Sequence, residues 1–426
     1  MMQQGQHIVA ARLLVNPEAA VVEQGGVLCS SGRIIAIDSL PALKRSHPGI
    51  EITHFDGGVI VPLLVNAHTH LELTDFPLWA EQKGHQVDNP ASFIDWILKL
   101  IQVKKKLDQE KYHQALTNGI EQSLKAGTGV VGDILAHHSA RSAYHGVSLA
   151  GVVFLETLGQ DPAMIRRLKK GIHRALEEPF NAEAAVGLSP HSPYTISTYY
   201  LRYIFDLCRR RGLRCCTHVA ESEEEQKFIK DSRGAIAERF YPAINWHGFV
   251  PAPAGVRPVA YLDQQGGLFP KNLLIHGVHL NGADIELLAR KKMSLALCPR
   301  SNARLKVGKA PAGQLRKAGV RLALGTDSLA SNDSLSVWDE MSFALTWFAG
   351  QIDAPTIFSM ATQQGADALG LGEEYGSLSP GKRAGFQVIK CPDNPAGDLY
   401  EYFCSGISQN DIIQIYRNGR PHKSGV

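Results

Sequence analysis

The chain has 426 residues, 44% apolar and 20% charged, the balance of a soluble globular protein without long disorder. Its length asks for one large α/β barrel or for two to three ordinary domains. With 44 basic and 41 acidic residues the net charge is only +3, so neither nucleic acid nor an anionic membrane surface is expected as a partner.

Residues 7–58 read as short strands broken by turns at Gly25-Gly26, Ser31-Gly32 and Gly57-Gly58. Eight short apolar runs follow, at 59–65, 129–133, 151–155, 184–188, 214–219, 273–275, 294–298 and 321–324. They are rich in Val, Ile and Leu without strict alternation, as expected of parallel strands buried on both faces. Helix-length amphipathic stretches separate them. Phe93, Trp96, Ile97, Leu100 and Ile101 form one apolar stripe that closes on Lys104, Lys105 and Lys106, and Ile204, Leu207 and Cys208 do the same before Arg209, Arg210 and Arg211. Eight alternations predict a (β/α)8 TIM-like barrel over 59–372. After Gly372 short strands and turns return. The tails 1–58 and 373–426 are too short for separate cores and are expected to share one small β-sandwich.

The seven cysteines, Cys29, Cys208, Cys215, Cys216, Cys298, Cys391 and Cys404, include no C-x-x-C pair. A disulfide framework or thiolate zinc site is not expected, and a reducing, cytoplasmic setting is. No signal peptide pattern is read at the N-terminus. The most apolar stretch, 59–65, contains Pro62 and is far shorter than a membrane span.

In such a barrel, catalytic groups project from the C-terminal ends of the strands. Each predicted strand ends on a polar or ionisable residue. His68 and His70 follow the first run, Asp133 closes the second with His137 and His138 beyond it, and Glu156 follows the third. His191 follows the fourth, His218 and Glu221 mark the fifth, His276 ends the sixth, Arg300 follows the seventh and Asp327 the eighth. With 17 histidines in the chain, one H-x-H is expected by chance about 0.7 times, so the pair His68 and His70 alone is weak. At a strand end, however, residues i and i+2 point the same way. Adding His218 and Asp327 gives three neutral nitrogens and a carboxylate, a suitable shell for Zn²⁺ or Fe²⁺.

Glu221, three residues past His218, is placed to carry protons, whereas Glu223, Glu224 and Glu225 read as the acidic first turn of a helix. His276 is a candidate to act on the attacking water, and His279 is read as structural. Asp327 sits among small residues, where a buried carboxylate needs a cationic partner. The competing N-cap role is assigned to Asp333 or Ser334, ahead of Leu335 and Trp338. The loops expected to select substrate are 75–92 and 137–146.

Together these residues resemble the amidohydrolase superfamily, in its branch of mononuclear-metal nucleobase and nucleoside deaminases. The likeness is carried by Val65-Asn66-Ala67-His68-Thr69-His70-Leu71-Glu72, Ser189-Pro190-His191-Ser192-Pro193-Tyr194, His218-Val219-Ala220-Glu221, His276-Gly277-Val278-His279, Cys298-Pro299-Arg300-Ser301-Asn302 and Gly325-Thr326-Asp327. It implies His68, His70, His218 and Asp327 as ligands of one divalent ion, Zn²⁺ ahead of Fe²⁺. It implies Glu221 as proton shuttle, His276 and Asp327 as the groups handling the water's proton, and His191 and Glu72 as substrate contacts. Branches with two metals carry a modified Lys at the fourth strand end, where this chain has His191, so a single ion is implied. A homodimer would be unsurprising in this superfamily.

Relatives acting on adenosine thioethers usually carry a Glu late in the helix after the first strand; here that neighbourhood reads Gln102-Val103-Lys104-Lys105-Lys106. The segments Cys298 to Asn302, Gly132-Asp133-Ile134 and Val259-Ala260-Tyr261-Leu262-Asp263 look similar to aminodeoxyfutalosine deaminases of menaquinone biosynthesis. Their substrate is an adenine nucleoside carrying a benzoate, for which Arg300 is the candidate partner. The alternatives are a deaminase of adenosylhomocysteine, methylthioadenosine, guanine or cytosine, a ring-amide or carbon–halogen hydrolase of the same superfamily, or a barrel without catalysis serving as a binding protein.

Overall fold

A computed structural model describes residues 5–17, 19–85, 90–180, 183–393 and 398–422. Eight strands, Leu64–Thr69, Thr128–Leu135, Ala150–Thr157, Ala184–Pro190, Cys215–Val219, Asn272–His276, Ser294–Leu297 and Arg321–Leu324, pair in sequence order in one sheet. A parallel bridge between Thr69 and Asp327 links the last strand's continuation to the first, leaving a nearly closed TIM-like barrel. Five of these strands, the first, second, fifth, sixth and seventh, are buried at every position, which is why the sequence shows unbroken apolar runs instead of alternation.

The helices follow their stripes. Phe93–Lys104 starts where the Ser92 side chain accepts from the Asp95 N–H, buries Phe93, Ile94 and Ile97, and ends at Lys104. Thr198–Arg211 is capped by Ser197 and stops at Gly212 in the left-handed region. The helix near the eighth strand, Val337–Trp347, is capped by Ser336 and not by the expected Asp333 or Ser334; Asp333 is engaged by Arg300 and Arg304.

The run 59–65 is not one strand. Glu51–Pro62 belongs to a different sheet, where Pro62 pairs with Phe386. The barrel begins at Leu64, whose N–H donates to the Gly127 carbonyl. Val59, Ile60, Val61, Leu64 and Val65 are all buried, so hydrophobicity does not change where the chain leaves one ladder for the next.

The two chain ends build the second sheet, in the order Arg420–Pro421, Ile412–Arg417, Phe386–Lys390, Glu51–Pro62, Gln6–Leu14, Gly25–Ser30 and Arg33–Ser39, with Val22–Glu23 against Gln6–Leu14. It is mixed: Gln6–Leu14 and Glu51–Pro62 run parallel, and the other pairs are antiparallel. The sheet curls over its own core. Cys29 and Ile34 from one side share a buried cluster with Phe386 and Tyr416 from the other, and Arg33 bridges to Arg383.

The chain divides into two compact units, 1–66 with 122–130 and 336–426, and 67–121 with 131–335. No disulfide joins the seven cysteines, and all are buried. Among the described residues no helix is long and apolar enough to cross a membrane.

Candidate metal centre and substrate cleft

Four barrel strands bring their ends together. His68 and His70, from the first strand end, hold their rings 5.0 Å apart and nearly perpendicular. The His218 ring lies 4.9 Å from His68 and 5.5 Å from His70, and His276 lies 5.4 Å from His218. Asp327 Oδ1 is 3.5 Å from His68 Nε2 and 3.7 Å from His70 Nε2. The donor atoms of His68, His218 and His276, and those of His68, His70 and Asp327, form two groups whose members lie within 4.8 Å of one another.

Backbone geometry makes this convergence. Ala220, His276 and Asp327, at the ends of the fifth, sixth and eighth strands, have φ of 53°, 70° and 57°. Non-glycine residues occupy that left-handed region only where the surroundings enforce it. Here Asp327 is pinned to the first strand: its N–H donates to the His68 carbonyl at 3.1 Å, and its carbonyl accepts from Thr69 Oγ1 at 2.9 Å. The approach needs Gly325, where a Cβ would come within 2.7 Å of His68 Cβ.

Outer partners fix the rings. His218 Nδ1 donates to the His191 carbonyl at 2.8 Å, and His276 Nδ1 faces Asn302 Oδ1 at 2.9 Å, which leaves each Nε2 as the inward acceptor. Asp327 Oδ2 accepts from Ser301 Oγ at 2.6 Å and from Ser331 Oγ at 2.8 Å. Among the described residues neither ring nitrogen of the buried His68 has a well-formed hydrogen bond; the Asp327 carboxylate stands 3.5 Å from Nε2. A fully buried imidazole left so is costly unless an electrophile takes its lone pair. Neutral nitrogens with one carboxylate suit Zn²⁺ or Fe²⁺, so the residues fit a divalent ion.

The electrostatics agree. Burial pushes His70 and His191 down to about 3 and His276 to about 4, and holds His218 well below the usual imidazole range. These rings are neutral at neutral pH. For Asp327 burial works upward, but the surrounding imidazoles of His68, His70 and His276 outweigh it and hold the carboxyl well below its ordinary value. Glu221 goes the other way: burial, with Asp327 and Glu225 nearby, drives it well above the carboxylate range. Its Oε1 stands 3.4 Å from His276 Nε2.

Glu223, Glu224 and Glu225 form the expected acidic first turn, but Glu225 is not a solvated member of it. Ser222 caps the helix Glu223–Asp231, but Glu225 is buried and its Oε2 accepts the Glu221 N–H at 2.9 Å. Sequence reasoning also assigned no role to Ser301, Asn302 or Ser331. Ser301 and Asn302 lie in the helix Pro299–Arg304, and the only signal for them was their place directly after the seventh strand.

The cluster opens into a cleft that carries both polar and apolar side chains, the mixed lining typical of small-molecule sites. Of the sequence-predicted residues, His70, Glu72, His191, His218, Glu221, His276 and Asp327 line it. Glu72 is already engaged, accepting the His137 N–H at 2.9 Å. Arg300 does not line the cleft; its guanidinium turns to Asn332 and Asp333. Nor does any described residue of 75–92 or 137–146 line it, and 86–89 lie outside the described residues. The wall beyond the imidazoles comes instead from Trp96, Ile97, Leu100 and Phe240, with Lys104 and Glu156 as charged members.

The family model described as "Amidohydrolase family" matches residues 59–421. Aminodeoxyfutalosine deaminase of Deinococcus radiodurans is 30% identical over 356 residues, covering 81% of this chain and 81% of that protein. The 5-methylthioadenosine/S-adenosylhomocysteine deaminase of Nitratidesulfovibrio vulgaris is 30% identical over 380 residues, covering 85% and 78%. The crystal structure of Helicobacter pylori aminofutalosine deaminase superposes with a TM-score of 0.83 at 23% identity, covering 98% of this chain and 100% of the other.

Proposed function

This chain belongs to the amidohydrolase family, and from that premise we propose that it is a hydrolytic deaminase of an adenine nucleoside. We infer the substrate to be 6-amino-6-deoxyfutalosine, converted to futalosine on the route to menaquinone. The observation that carries the deaminase reading is the buried Glu221 carboxyl 3.4 Å from His276 Nε2, at the edge of the cluster that His68, His70, His218 and Asp327 form.

In this reading His68, His70, His218 and Asp327 hold one divalent ion, Zn²⁺ ahead of Fe²⁺. When bound, it supplies Lewis acidity that brings the pKa of a hydrolytic water down toward neutrality. The chain's own groups do the proton work. Glu221 donates its proton to the ring nitrogen next to C6 while the water's oxygen adds at C6. His276 and Asp327 take up and orient the water's proton, and Glu221, recharged, returns one to the departing amino group. Water and the amidine become a ring carbonyl and ammonia. Glu225, bonded to the Glu221 backbone, keeps the shuttle in place, and His191 contacts the base.

The relatives include both aminodeoxyfutalosine deaminases and adenosine-thioether deaminases. Support for the first comes from the helix Phe93–Lys104, which offers the cleft Trp96, Ile97, Leu100 and a cation, Lys104, and no acid. The test is ammonia release from adenine nucleosides differing at the 5′ position. The reading expects the highest kcat/KM on a substrate whose 5′ end carries a benzoate. A higher value on methylthioadenosine would move the substrate to the thioether class, and hydrolysis without ammonia would end the deaminase reading.

A further inference from the structure

The third barrel strand contributes nothing to the imidazole cluster, which draws on the first, fifth, sixth and eighth. Yet Glu156, near its C-terminal end, lines the same cleft. Its backbone carbonyl is held by His138 Nε2 at 2.9 Å, while its side-chain Oε1 is buried with no hydrogen-bond partner among the described residues. Glu72, the other acid on this side, has its carboxylate taken by His137. Glu156 is thus a buried acceptor waiting for a donor, and leaving such an acceptor empty is costly.

A cation stands opposite. Trp96, Ile97, Leu100 and Lys104 fall on one face of the helix Phe93–Lys104 and line the cleft together. The Lys104 ammonium makes no hydrogen bond or ion pair among the described residues and lies over the Tyr112 ring, 5.9 Å from its centroid. Its field reaches Glu72, Glu156 and His191. Arg300, the candidate anion partner from sequence, is instead bound to Asn332 and Asp333.

Resting on the deaminase reading, we propose that Glu156 and Lys104 are the specificity residues for the end of the substrate remote from the reacting ring. Glu156 accepts hydrogen bonds from the sugar hydroxyls, and Lys104 faces an anionic group at the 5′ end. Burial raises Glu156 to about 7, with Lys104 opposing the rise, so the ammonium also helps keep the acceptor ionised.

The experiment measures kcat/KM by ammonia release for adenosine, 2′,3′-dideoxyadenosine and adenosine 5′-carboxylate, in wild type, Glu156→Gln and Lys104→Met. In Glu156→Gln the preference for adenosine over its dideoxy analogue falls about 10- to 100-fold. In Lys104→Met the preference for the 5′-carboxylate over adenosine falls by a similar factor. Metal content and melting temperature establish that each variant is folded. Because the two ratios are read on different variants, misfolding of one leaves the other decisive. Equal losses on both members of a pair would overturn that residue's assignment. A wild type that releases no ammonia from any of the three would instead bring down the deaminase reading itself.

Discussion

At the imidazole end of the cleft, His218, His276 and Asp327 each lean on a second group, His191, Asn302 and the Ser301–Ser331 pair. At the other end Glu156 keeps a buried oxygen without a partner, and Lys104 sits above an apolar wall of Trp96, Ile97 and Leu100. The first end is rigidly oriented before any ligand arrives, as chemistry on a fixed ion requires. The second leaves its bonds open for the substrate to complete, which is where discrimination is gained. On the proposed reading, reaction and selection sit on different elements, the first on four strand ends and the second on the third strand and the helix Phe93–Lys104.

The sharpest way to break that contrast is to empty the first end. His218→Ala should lower metal content and cut ammonia release by at least about 10³-fold for every nucleoside alike; a loss confined to one substrate, read from kcat/KM across the panel, would merge the two ends into one. Next in size is Glu221→Gln, expected to retain metal and lose about 10²- to 10⁴-fold in turnover. Because Glu221 acts from its protonated form, wild-type kcat should fall as pH rises through its elevated folded pKa. That limb should vanish from the glutamine variant's pH profile. A variant with the wild-type profile would take Glu221 out of the proton transfer.

Arg300→Met sharpens the other end. With its guanidinium committed to Asn332 and Asp333, the change should lower melting temperature while leaving the kcat/KM ratio between a 5′-carboxylate nucleoside and adenosine within about 3-fold. A large selective loss would return the anion contact to Arg300. The smallest effect is expected at Asp133, which lines neither end. Its carboxylate accepts from the Leu71 N–H at 2.8 Å and the Tyr144 hydroxyl at 2.7 Å, and burial raises it to about 8 from an ordinary 3.8. Between those values the folded chain keeps a proton that the unfolded chain has released, so this group's contribution to stability falls as pH rises. Asp133→Asn never bears that charge, and its melting temperature relative to wild type should climb from pH 5 to pH 8. A constant gap would mean Asp133 is ionised throughout.

How legible each end was in the sequence follows from its architecture. A parallel strand buried on both faces is an unbroken apolar run, and the residue that ends it must face the rim; that placed His68, His70, His218, His276 and Asp327 in advance. The same signal failed at 59–65, because burial is continuous across Pro62 and Leu63 while the hydrogen-bond ladder changes. It also over-promoted Arg300. The first residues after the seventh strand form the short helix Pro299–Arg304, which sends Ser301 and Asn302 to the site and Arg300 to Asp333. Lys104 was read as a dipole-complementing helix end, and Glu225 as a solvated first-turn acid. Both readings describe charge along a helix, whereas the face each side chain occupies is set by tertiary packing. The left-handed backbone at Ala220, His276 and Asp327 has no glycine to announce it.

Elemental analysis of the purified protein, paired with chelation and re-addition, tests the centre most directly. One equivalent of divalent metal per chain is expected. Stripping it should abolish ammonia release from an adenine nucleoside, Zn²⁺ should restore it, and His218→Ala should hold little metal. Full turnover by a chain free of metal, or undiminished metal binding without His218, would contradict the claim that His68, His70, His218 and Asp327 share one ion.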